Sequence, residues 1–209
     1  MTARRVRFLV GPLVAAVLLG VLTGCAREPT GGEWALVVGV IDGDTIELDD
    51  GRRVRYIGIN TPERGQPGAD SATALNERLV MGRRVRLEYG HERLDRYGRT
   101  LAAIFVDDLM VGRELVRAGW ASCYFFRDNL IYAAELLRVQ QEAMTAHRGL
   151  WGLRRDDSAG HYVASFSSFR FHRDECPSVK RIPLDQEIVF RHRDSAYFYG
   201  YSPCGACNP

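Results

Sequence analysis

The chain has 209 residues, of which 46% are hydrophobic and 26% are charged. These fractions are typical of a globular protein and exclude an intrinsically disordered one, and the length suffices for one ordinary domain with a small addition. The net charge of +2 excludes a chain that binds nucleic acid through its overall charge alone. Lys180 is the only lysine, so arginine carries nearly all of the positive charge. One arginine guanidinium can donate two parallel hydrogen bonds to the oxygens of a phosphate. A GC-rich genome would also favour arginine over lysine.

The first 25 residues have the pattern of an export signal. Arginines at positions 4, 5 and 7 precede an apolar run, residues 8–22, that is short for a membrane-spanning helix. The run ends in Leu22-Thr23-Gly24-Cys25, which resembles a bacterial lipobox. This resemblance implies that Cys25 is lipidated and that the protein is held at a membrane of the cell envelope. An ordinary cleaved signal with an incidental cysteine is the alternative, and it also predicts export.

The elements that follow are short strands with tight turns. Residues 26–33 are polar and read as a tether. Alternating apolar residues then predict strands over 34–41, 45–48 and 53–59, with turns at Asp42-Gly43-Asp44 and Asp49-Asp50-Gly51.

Helices and two further strands continue the chain. Apolar spacing predicts helices over residues 70–81, 109–118 and 129–147, the last capped by Asp128, and strands over 84–89 and 101–106. Five short strands with three helices predict an α+β fold, mainly β, built on an oligonucleotide-binding (OB) type barrel.

A change of composition after Trp151 predicts a second unit. Residues 154–160 are polar, and the segment after them is rich in aromatic residues, histidine and cysteine. We therefore expect a barrel domain over residues 34–153, a linker over 154–160 and a small domain over 161–209.

Three polar clusters stand out in the predicted barrel. They are Ile41-Asp42-Gly43-Asp44-Thr45, then Arg55 followed by Asn60-Thr61-Pro62-Glu63, and Asp95-Arg96-Tyr97-Gly98-Arg99. Their order and spacing, together with Leu115-Val116-Arg117-Ala118-Gly119, resemble the staphylococcal nuclease (thermonuclease) family across residues 34–153. The resemblance implies a phosphodiesterase that cuts single-stranded or frayed DNA and RNA, and we expect a monomer.

The resemblance also implies a role for each cluster. Hard divalent cations take oxygen ligands, and the family favours calcium over magnesium. Arg55 and Arg99 would clamp the phosphate, and Glu63 would accept a proton from the attacking water or orient it. The implied calcium ligands are Asp44, Asn60 and the Thr61 carbonyl, and the implied substrate-binding residues are Asp42, Asp95 and Tyr97.

One position departs from the family pattern. Asn60 stands where the family often has a second carboxylate. An amide oxygen can coordinate calcium but brings no negative charge, so we expect weaker calcium binding than a site with two carboxylates would show.

Taken singly, these residues have simpler explanations. Asp42 and Asp44 are common turn residues, Arg55 could be a solvent-facing strand residue, and Asp95 with Arg99 could be a weak surface pair. Their joint occurrence at these spacings favours one site.

The C-terminal segment carries a possible metal site. His172, Cys176, Cys204 and Cys207 have spacings that suit a tetrahedral zinc ion. The segment resembles the zinc-binding domain of the bacterial protein that repairs methylphosphotriesters in DNA. That family has a methyl-accepting cysteine where this chain has His172, so the resemblance implies a structural zinc ion without the repair activity. Disulfide pairing is the alternative in an exported protein, while Cys123 reads as a buried apolar residue.

Two other functions remain open from the sequence. One is a non-catalytic, nucleic-acid-binding envelope lipoprotein with a structural zinc tail, in which Asn60 has abolished calcium binding. The other is an envelope interaction module in which the barrel is a spacer. A nuclease should hydrolyse single-stranded DNA in a calcium-dependent way, whereas neither of these two alternatives should.

Overall fold

The computed structural model describes residues 32–153 and 160–209. The export signal, Cys25, nearly all of the tether and all but the last residue of the predicted linker lie outside these described residues. Within the two described ranges, no helix is long and apolar enough to cross a membrane.

A closed barrel forms most of the first range. In chain order its elements are β1 (Glu33–Val40), β2 (Thr45–Leu48), β3 (Arg53–Tyr56), β4 (Gly58–Asn60), α1 (Ala69–Val80), β5 (Arg84–Leu94), β6 (Thr100–Val106), β7 (Leu109–Met110), α2 (Val111–Arg117), β8 (Ser122–Tyr124), α3 (Ala133–Thr145) and α4 (Leu150–Leu153). The strand order is β3-β2-β1-β5-β6, and parallel pairing of β3 with β6 closes the ring. The predicted five-stranded OB-type barrel is confirmed.

Alternating side chains separate the inside of the barrel from its surface. In β1, Ala35 and Val37 are buried, whereas Trp34, Leu36 and Val38 are exposed. This period of two is the one that a half-buried strand requires. The largest fully buried side chains of the barrel core include Ile46, Leu48, Ile59, Leu87, Ile104 and Leu115.

Several predicted boundaries were wrong. The second helix begins at Val111 and not at 109, because Leu109 and Met110 pair with β6, and the strand over 84–89 continues to Leu94. The strand over residues 53–59 breaks into β3 and β4, because Gly58 has a φ of +78° and turns the backbone there. The third helix begins at Ala133 and not at 129, and its N-cap is Tyr132 instead of Asp128. Asn129 is held outside the helix, where it forms a bridge with Phe126 and its side-chain amide donates to the Glu92 carbonyl.

The second range forms a small sheet with its own helix. Its elements are β9 (Tyr162–Ser165), β10 (Arg170–Arg173), two 3-10 turns (Val179–Arg181 and Leu184–Gln186), β11 (Glu187–Phe190), α5 (Arg193–Phe198) and β12 (Ser202–Pro203). The strand order is β11-β9-β10-β12. We call residues 160–209 the C-terminal module.

The core of the C-terminal module includes residues of the preceding helices. Ala143 of α3 and Trp151 of α4 join Phe171, Phe190 and Tyr197 in one buried cluster. The described residues, 32–153 and 160–209, belong to one compact unit. The division into domains at residues 154–160 stays a prediction.

Candidate active site

The turn between β1 and β2 carries the buried carboxylate of the site. The Ile41 amide donates to the Thr45 carbonyl at 2.9 Å and closes the turn. The Asp44 amide donates to Asp42 Oδ1 at 3.0 Å, so Asp42 acts partly as a turn former. Only 4% of Asp44 is exposed. The turn therefore directs the Asp44 carboxylate inward, against the end of β4.

Thr61, which follows β4, holds the Asp44 carboxylate. Its backbone amide donates to Asp44 Oδ2 at 2.8 Å and its hydroxyl donates to the same oxygen at 3.1 Å. Burial raises the pKa of the Asp44 carboxyl, while nearby Arg55 opposes this shift and Asp42 adds to it. A buried carboxylate needs compensating positive charge.

Arg55 of β3 supplies that charge and is fixed in place. Its Nη1 lies 3.1 Å from Asp44 Oδ2 and donates to the Tyr56 and Ile59 carbonyls at 3.0 Å each, while Nη2 donates to Asn60 Oδ1 at 2.7 Å. Its Nε–H and one Nη2 hydrogen have no partner among the described residues. Arg55 is thus preorganised, with donors left for a phosphate oxygen.

Asn60 links the arginine to the backbone beyond it. Its oxygen faces Arg55, and its nitrogen donates to the Thr61 carbonyl at 3.0 Å. If the Asn60 amide were turned over, its Nδ2 donor would face the guanidinium, which is also a donor. Arg55 therefore fixes the observed orientation of the amide. In this arrangement Asn60 orients Arg55 and Thr61, and its role as a calcium ligand stays a prediction.

A buried polar chain behind the site was missed from the sequence. Asn76 of α1 is fully buried, accepts a hydrogen bond from Tyr56 OH at 2.8 Å and donates to the Asp42 carbonyl at 3.0 Å. Its position, four residues from the buried Ala72 and Val80, could have shown that a polar residue interrupts the apolar stripe of the helix. Asn76 ties the turn at Asp42 to the barrel core.

Gly43 allows this close approach. A Cβ at this position would lie 2.7 Å from the Ala72 Cβ and 2.7 Å from the Thr61 hydroxyl oxygen. Since such contacts are shorter than side chains tolerate, only glycine lets the turn lie against both α1 and Thr61.

Arg99, Asp95 and Tyr97 form a second group of contacts. Arg99 donates to Asp95 through its backbone amide at 2.9 Å and through Nε at 2.7 Å, and its guanidinium carbon lies 5.5 Å from the Tyr97 ring centroid. Burial raises the pKa of Asp95, but hydrogen bonds from Arg99 and Tyr97 outweigh it and hold the pKa below its usual value.

The sheet register relates this second group to Arg55. Arg55 pairs with Leu101 in the parallel β3–β6 ladder. Because side chains alternate along a strand, Arg99 lies on the same face as Leu101, and therefore on the face of Arg55. That face is the outer one, since the intervening Val54 and Thr100 are buried. Continued to Arg99, one residue before β6, this alternation predicts that both arginines share one outer face.

Glu63 follows Thr61 by two residues, and its place beside the arginines stays a prediction. It is exposed in the turn after β4, and its backbone amide donates to Gln66 Oε1 at 3.0 Å. Its carboxylate has no hydrogen bond or ion pair to the described residues, so it is available to solvent water.

The donors around Asp44 fit a hard divalent cation. Asp44 and Asp42 carry two negative charges against the single guanidinium of Arg55, so the cluster keeps an excess negative charge. Carboxylate and carbonyl oxygens from Asp44 and Thr61 are the ligand types that calcium and magnesium take. A divalent cation would offset both this charge and that of a bound phosphodiester.

A second cluster of metal-ligand atoms lies in the C-terminal module. The ligand atoms of His172, Cys176, Cys204 and Cys207 all lie within 4.8 Å of one another, and His172 Nδ1 is 3.6 Å from the Cys176 sulfur. A zinc–sulfur bond of about 2.3 Å gives ligand separations of about 3.8 Å in a tetrahedron. These four residues fit a zinc ion closely.

The protonation states and thiols of this cluster also suit a metal. Burial, with Arg170 and Arg181, lowers the pKa of His172, which favours the neutral imidazole that metals bind. Burial raises the pKa of Cys207 to about 11, so its thiolate needs a nearby cation. The four described cysteines form no disulfide. Cys123 is buried in the barrel, as predicted for an apolar residue.

Comparison with known proteins agrees with this geometry. Residues 53–152 match the family described as staphylococcal nuclease homologue. The thermonuclease of Staphylococcus intermedius is 40% identical over 129 residues, which are 57% of this chain and 77% of the relative. The thermonuclease of Staphylococcus hyicus is 36% identical over 55% of this chain and 73% of the relative, and endonuclease YncB of Bacillus subtilis is 33% identical over 53% and 58%. The chain belongs to the family of staphylococcal nuclease homologues.

Proposed function

We propose that this nuclease is an exported, lipid-anchored enzyme that hydrolyses phosphodiester bonds of DNA and RNA with the help of calcium. The observation that supports the proposal most is the contact of Asp44 with both Arg55 and Thr61, on a face that also carries Arg99. Buried charge of this kind is costly in a structural role. Binding of an anionic substrate by Arg55 and of a cation by Asp44 would explain why these buried charges are present.

Each residue of the candidate site would have a separate role in hydrolysis. Asp44 and the Thr61 carbonyl would hold calcium, which supplies positive charge to the phosphoryl oxygens as negative charge builds up there. Arg55 and Arg99 would bind the phosphoryl oxygens from two directions and stabilise the same charge. Glu63 would take a proton from the attacking water, whose oxygen forms the new bond to phosphorus as the ester bond breaks.

Other residues would position the substrate. Asp95 holds Arg99 by two hydrogen bonds, and Tyr97 is 68% exposed beside it. An exposed aromatic ring near a phosphate site suits base stacking, which tolerates any base sequence. Single-stranded or frayed DNA and RNA are therefore the expected substrates, because their bases are accessible.

Hydrolysis of single-stranded DNA by the purified chain tests this function. We expect cleavage with calcium, none with an excess of a calcium chelator, and a loss of at least about 10²-fold in rate for Glu63→Gln. Glu77→Gln, an exposed change on the far side of α1, is the matched control. Intact DNA at every calcium concentration would instead support the non-catalytic binding protein.

Export and anchoring rest on the N-terminal sequence. The arginines, the apolar run and Leu22-Thr23-Gly24-Cys25 support a lipidated N-terminus at Cys25. Fractionation of bacteria that express the full chain should find the protein in the membrane fraction, and Cys25→Ser should release it. An unchanged distribution for Cys25→Ser would contradict lipid anchoring.

The C-terminal cluster supports a structural zinc ion held by His172, Cys176, Cys204 and Cys207. A fixed tetrahedral ion joins β10 to the C-terminal residues and would stabilise a module with a small core. Metal analysis of the full chain should find one zinc, and thiol titration after denaturation should find these cysteines free. A disulfide without metal would contradict the zinc site.

A further inference from the structure

The outer face of β1 carries three apolar side chains at the surface of the barrel. Trp34, Leu36 and Val38 are 40%, 36% and 52% exposed, while Ala35 and Val37 between them are buried. Since side chains alternate along a strand, the three exposed residues share one side of β1. We call Trp34, Leu36 and Val38 the β1 patch. A group of neighbouring apolar side chains at a protein surface marks an interaction site.

The charges beside the β1 patch balance one another. On one side, Arg84 of β5 lies opposite Leu36, and on the other the Asp49 amide donates to the Leu36 carbonyl at 2.9 Å. Both Arg84 and Asp49 are exposed. A surface that carries both signs gains little from a partner of one charge, so binding by this patch depends on its apolar side chains.

The strand order sets the β1 patch on the opposite side of the barrel from the candidate active site. In the ring β3-β2-β1-β5-β6, β1 is separated from β3 by β2 and from β6 by β5. The pairing of β3 with β6 closes the ring, and Arg55 lies at that pairing. The outer face of β1 therefore points away from the outer face that carries Arg55.

The sequence before β1 limits how far the patch can lie from the proposed anchor. Trp34 follows Cys25 by nine positions. A chain of that length spans at most about 32 Å when fully extended, which is roughly the diameter of a small domain. Such a tether holds the start of β1 near the bilayer at an effective concentration on the order of millimolar, so that even weak insertion of apolar side chains suffices for docking.

We propose that the β1 patch docks on the lipid bilayer that holds the Cys25 anchor, and that docking turns the candidate active site toward the solution. Trp34 lies at the level of the lipid headgroups, where tryptophan partitions, and Leu36 and Val38 contact the first part of the acyl chains. The inference rests on the proposed lipid anchor. It adds an orientation to that anchor, in which nucleic acid binds on the side of the barrel that faces away from the membrane.

Quenching of tryptophan emission by brominated lipid tests the docking. The full chain, purified from bacterial membranes, is reconstituted in phosphatidylcholine vesicles with or without bromine near the headgroup end of the acyl chains. Trp34→Phe identifies the emission that belongs to Trp34, since Trp120 and Trp151 remain. We expect bromine to lower the Trp34 emission by about twofold or more. Equal Trp34 emission with and without bromine overturns the proposal.

Val38→Glu tests the β1 patch by a change that leaves Trp34 in place. A carboxylate at this exposed position favours water over lipid, so the quenching of Trp34 should be lost. The melting temperature and the hydrolysis of a short single strand should change little, because Val38 lies at the surface. Leu184→Glu, the same change at an exposed position of the C-terminal module, is the matched control and should keep the quenching. Quenching that survives Val38→Glu overturns the proposal.

Flotation of the chain with the vesicles separates this inference from the proposed function. If the chain floats with the vesicles but bromine does not quench Trp34, the anchor stands and the docking is wrong. If the chain does not float, both are wrong, because the docking depends on the anchor. A chain that floats, shows the quenching and leaves DNA intact supports the docking and contradicts only the nuclease.

A quencher in water distinguishes the bilayer from another occupant of the β1 patch. Acrylamide should reach Trp34 less readily in vesicles than in detergent solution. If Trp34 is protected from acrylamide while bromine leaves its emission unchanged, a protein surface such as a second copy of the chain covers the patch. That result overturns docking on the membrane.

Discussion

The two polar clusters of this molecule are built in opposite ways. Around Asp44, protein groups satisfy one another, since Thr61, Arg55 and Asn60 bind the carboxylate and each other. Around Cys176, three thiols and an imidazole crowd together, with their ligand atoms all within 4.8 Å of one another. The first cluster joins carboxylate, guanidinium and amide groups through hydrogen bonds, whereas the second gathers four ligand atoms of the types that zinc binds.

This difference indicates different uses for metal. A cluster that is fixed before a cation arrives can bind it weakly and reversibly next to a substrate, as catalysis requires. A cluster of thiols and an imidazole can gain folding free energy from the ion that it binds. We therefore propose an exchangeable ion for the barrel and a permanent ion for the C-terminal module.

The largest effect should come from removing the guanidinium of Arg55, which lies against Asp44 in the barrel. Arg55→Ala should lower kcat on single-stranded DNA by about 10² to 10³, because a preorganised donor to the phosphoryl oxygens is lost. Arg84→Ala, an exposed change on β5 opposite Leu36, is the control and should leave the rate unchanged. Equal rates for Arg55→Ala and the unmodified chain would place the chemistry elsewhere.

The next effect concerns the contact between the barrel and the C-terminal module. Gln140 is fully buried, accepts a hydrogen bond from the Cys123 amide at 2.6 Å and donates to the Tyr197 carbonyl at 2.5 Å. Gln140→Leu leaves the buried Cys123 amide without this partner, while the Tyr197 carbonyl still accepts from the Gly200 amide, so we expect a loss of about 1 to 3 kcal/mol in the free energy of unfolding.

Urea unfolding of the full chain measures this loss. Gln141→Leu is the control, because Gln141 is only half-buried and its side chain makes a single hydrogen bond, to the Phe198 carbonyl. A similar small change in both variants would show that the two regions are joined without help from Gln140.

A smaller effect should follow from crowding the turn of the barrel cluster. Gly43→Ala places a methyl group against Ala72 and Thr61, which should cost about 1 to 3 kcal/mol of stability and reduce calcium-dependent hydrolysis. Gly39→Ala, whose nearest neighbour would be at 3.4 Å, is the control for thermal unfolding and activity. An unaffected Gly43→Ala variant would mean that the turn adjusts freely.

The smallest effect depends on pH. Because hydrogen bonds from Arg99 hold the pKa of Asp95 below its unfolded value of about 3.9, ionised Asp95 stabilises the fold above that pH. Asp95→Asn should cost up to about 1 kcal/mol at neutral pH, and the difference should vanish as the pH falls through the folded pKa. Unfolding curves between neutral pH and pH about 3 measure it, with Asp128→Asn, an exposed change outside this cluster, as the control. A difference that grows in acid would contradict the sign.

Local patterns predicted much of the barrel and little of what joins its parts. Alternation in residues 34–41 and the turn at Asp49-Asp50-Gly51 were enough to predict strands, since each depends on nearby residues. The break at Gly58 depends on a positive φ that spacing does not reveal. The late start of α3 depends on Asn129, whose partner Glu92 is distant in sequence.

The sites follow the same rule. Asp44, Arg55, Asn60 and Thr61 lie within eighteen positions on adjoining strands, so a motif could predict that they meet. Arg170 contacts Phe125 across 45 positions and Gln140 contacts Tyr197 across 57, and no local spacing marks either. Only the packed structure shows that the C-terminal module reaches the strand beside the active site.

Calorimetric titration of calcium into the zinc-loaded chain tests the central claim most directly. The unmodified chain should bind one exchangeable calcium, Asp44→Asn should abolish that binding, and Asn60→Asp should strengthen it by adding a carboxylate. Calcium heats that are identical in the unmodified chain and in Asp44→Asn would contradict an oxygen-ligand site in the barrel. Saturation of the unmodified chain at low micromolar calcium would contradict the weakening assigned to Asn60.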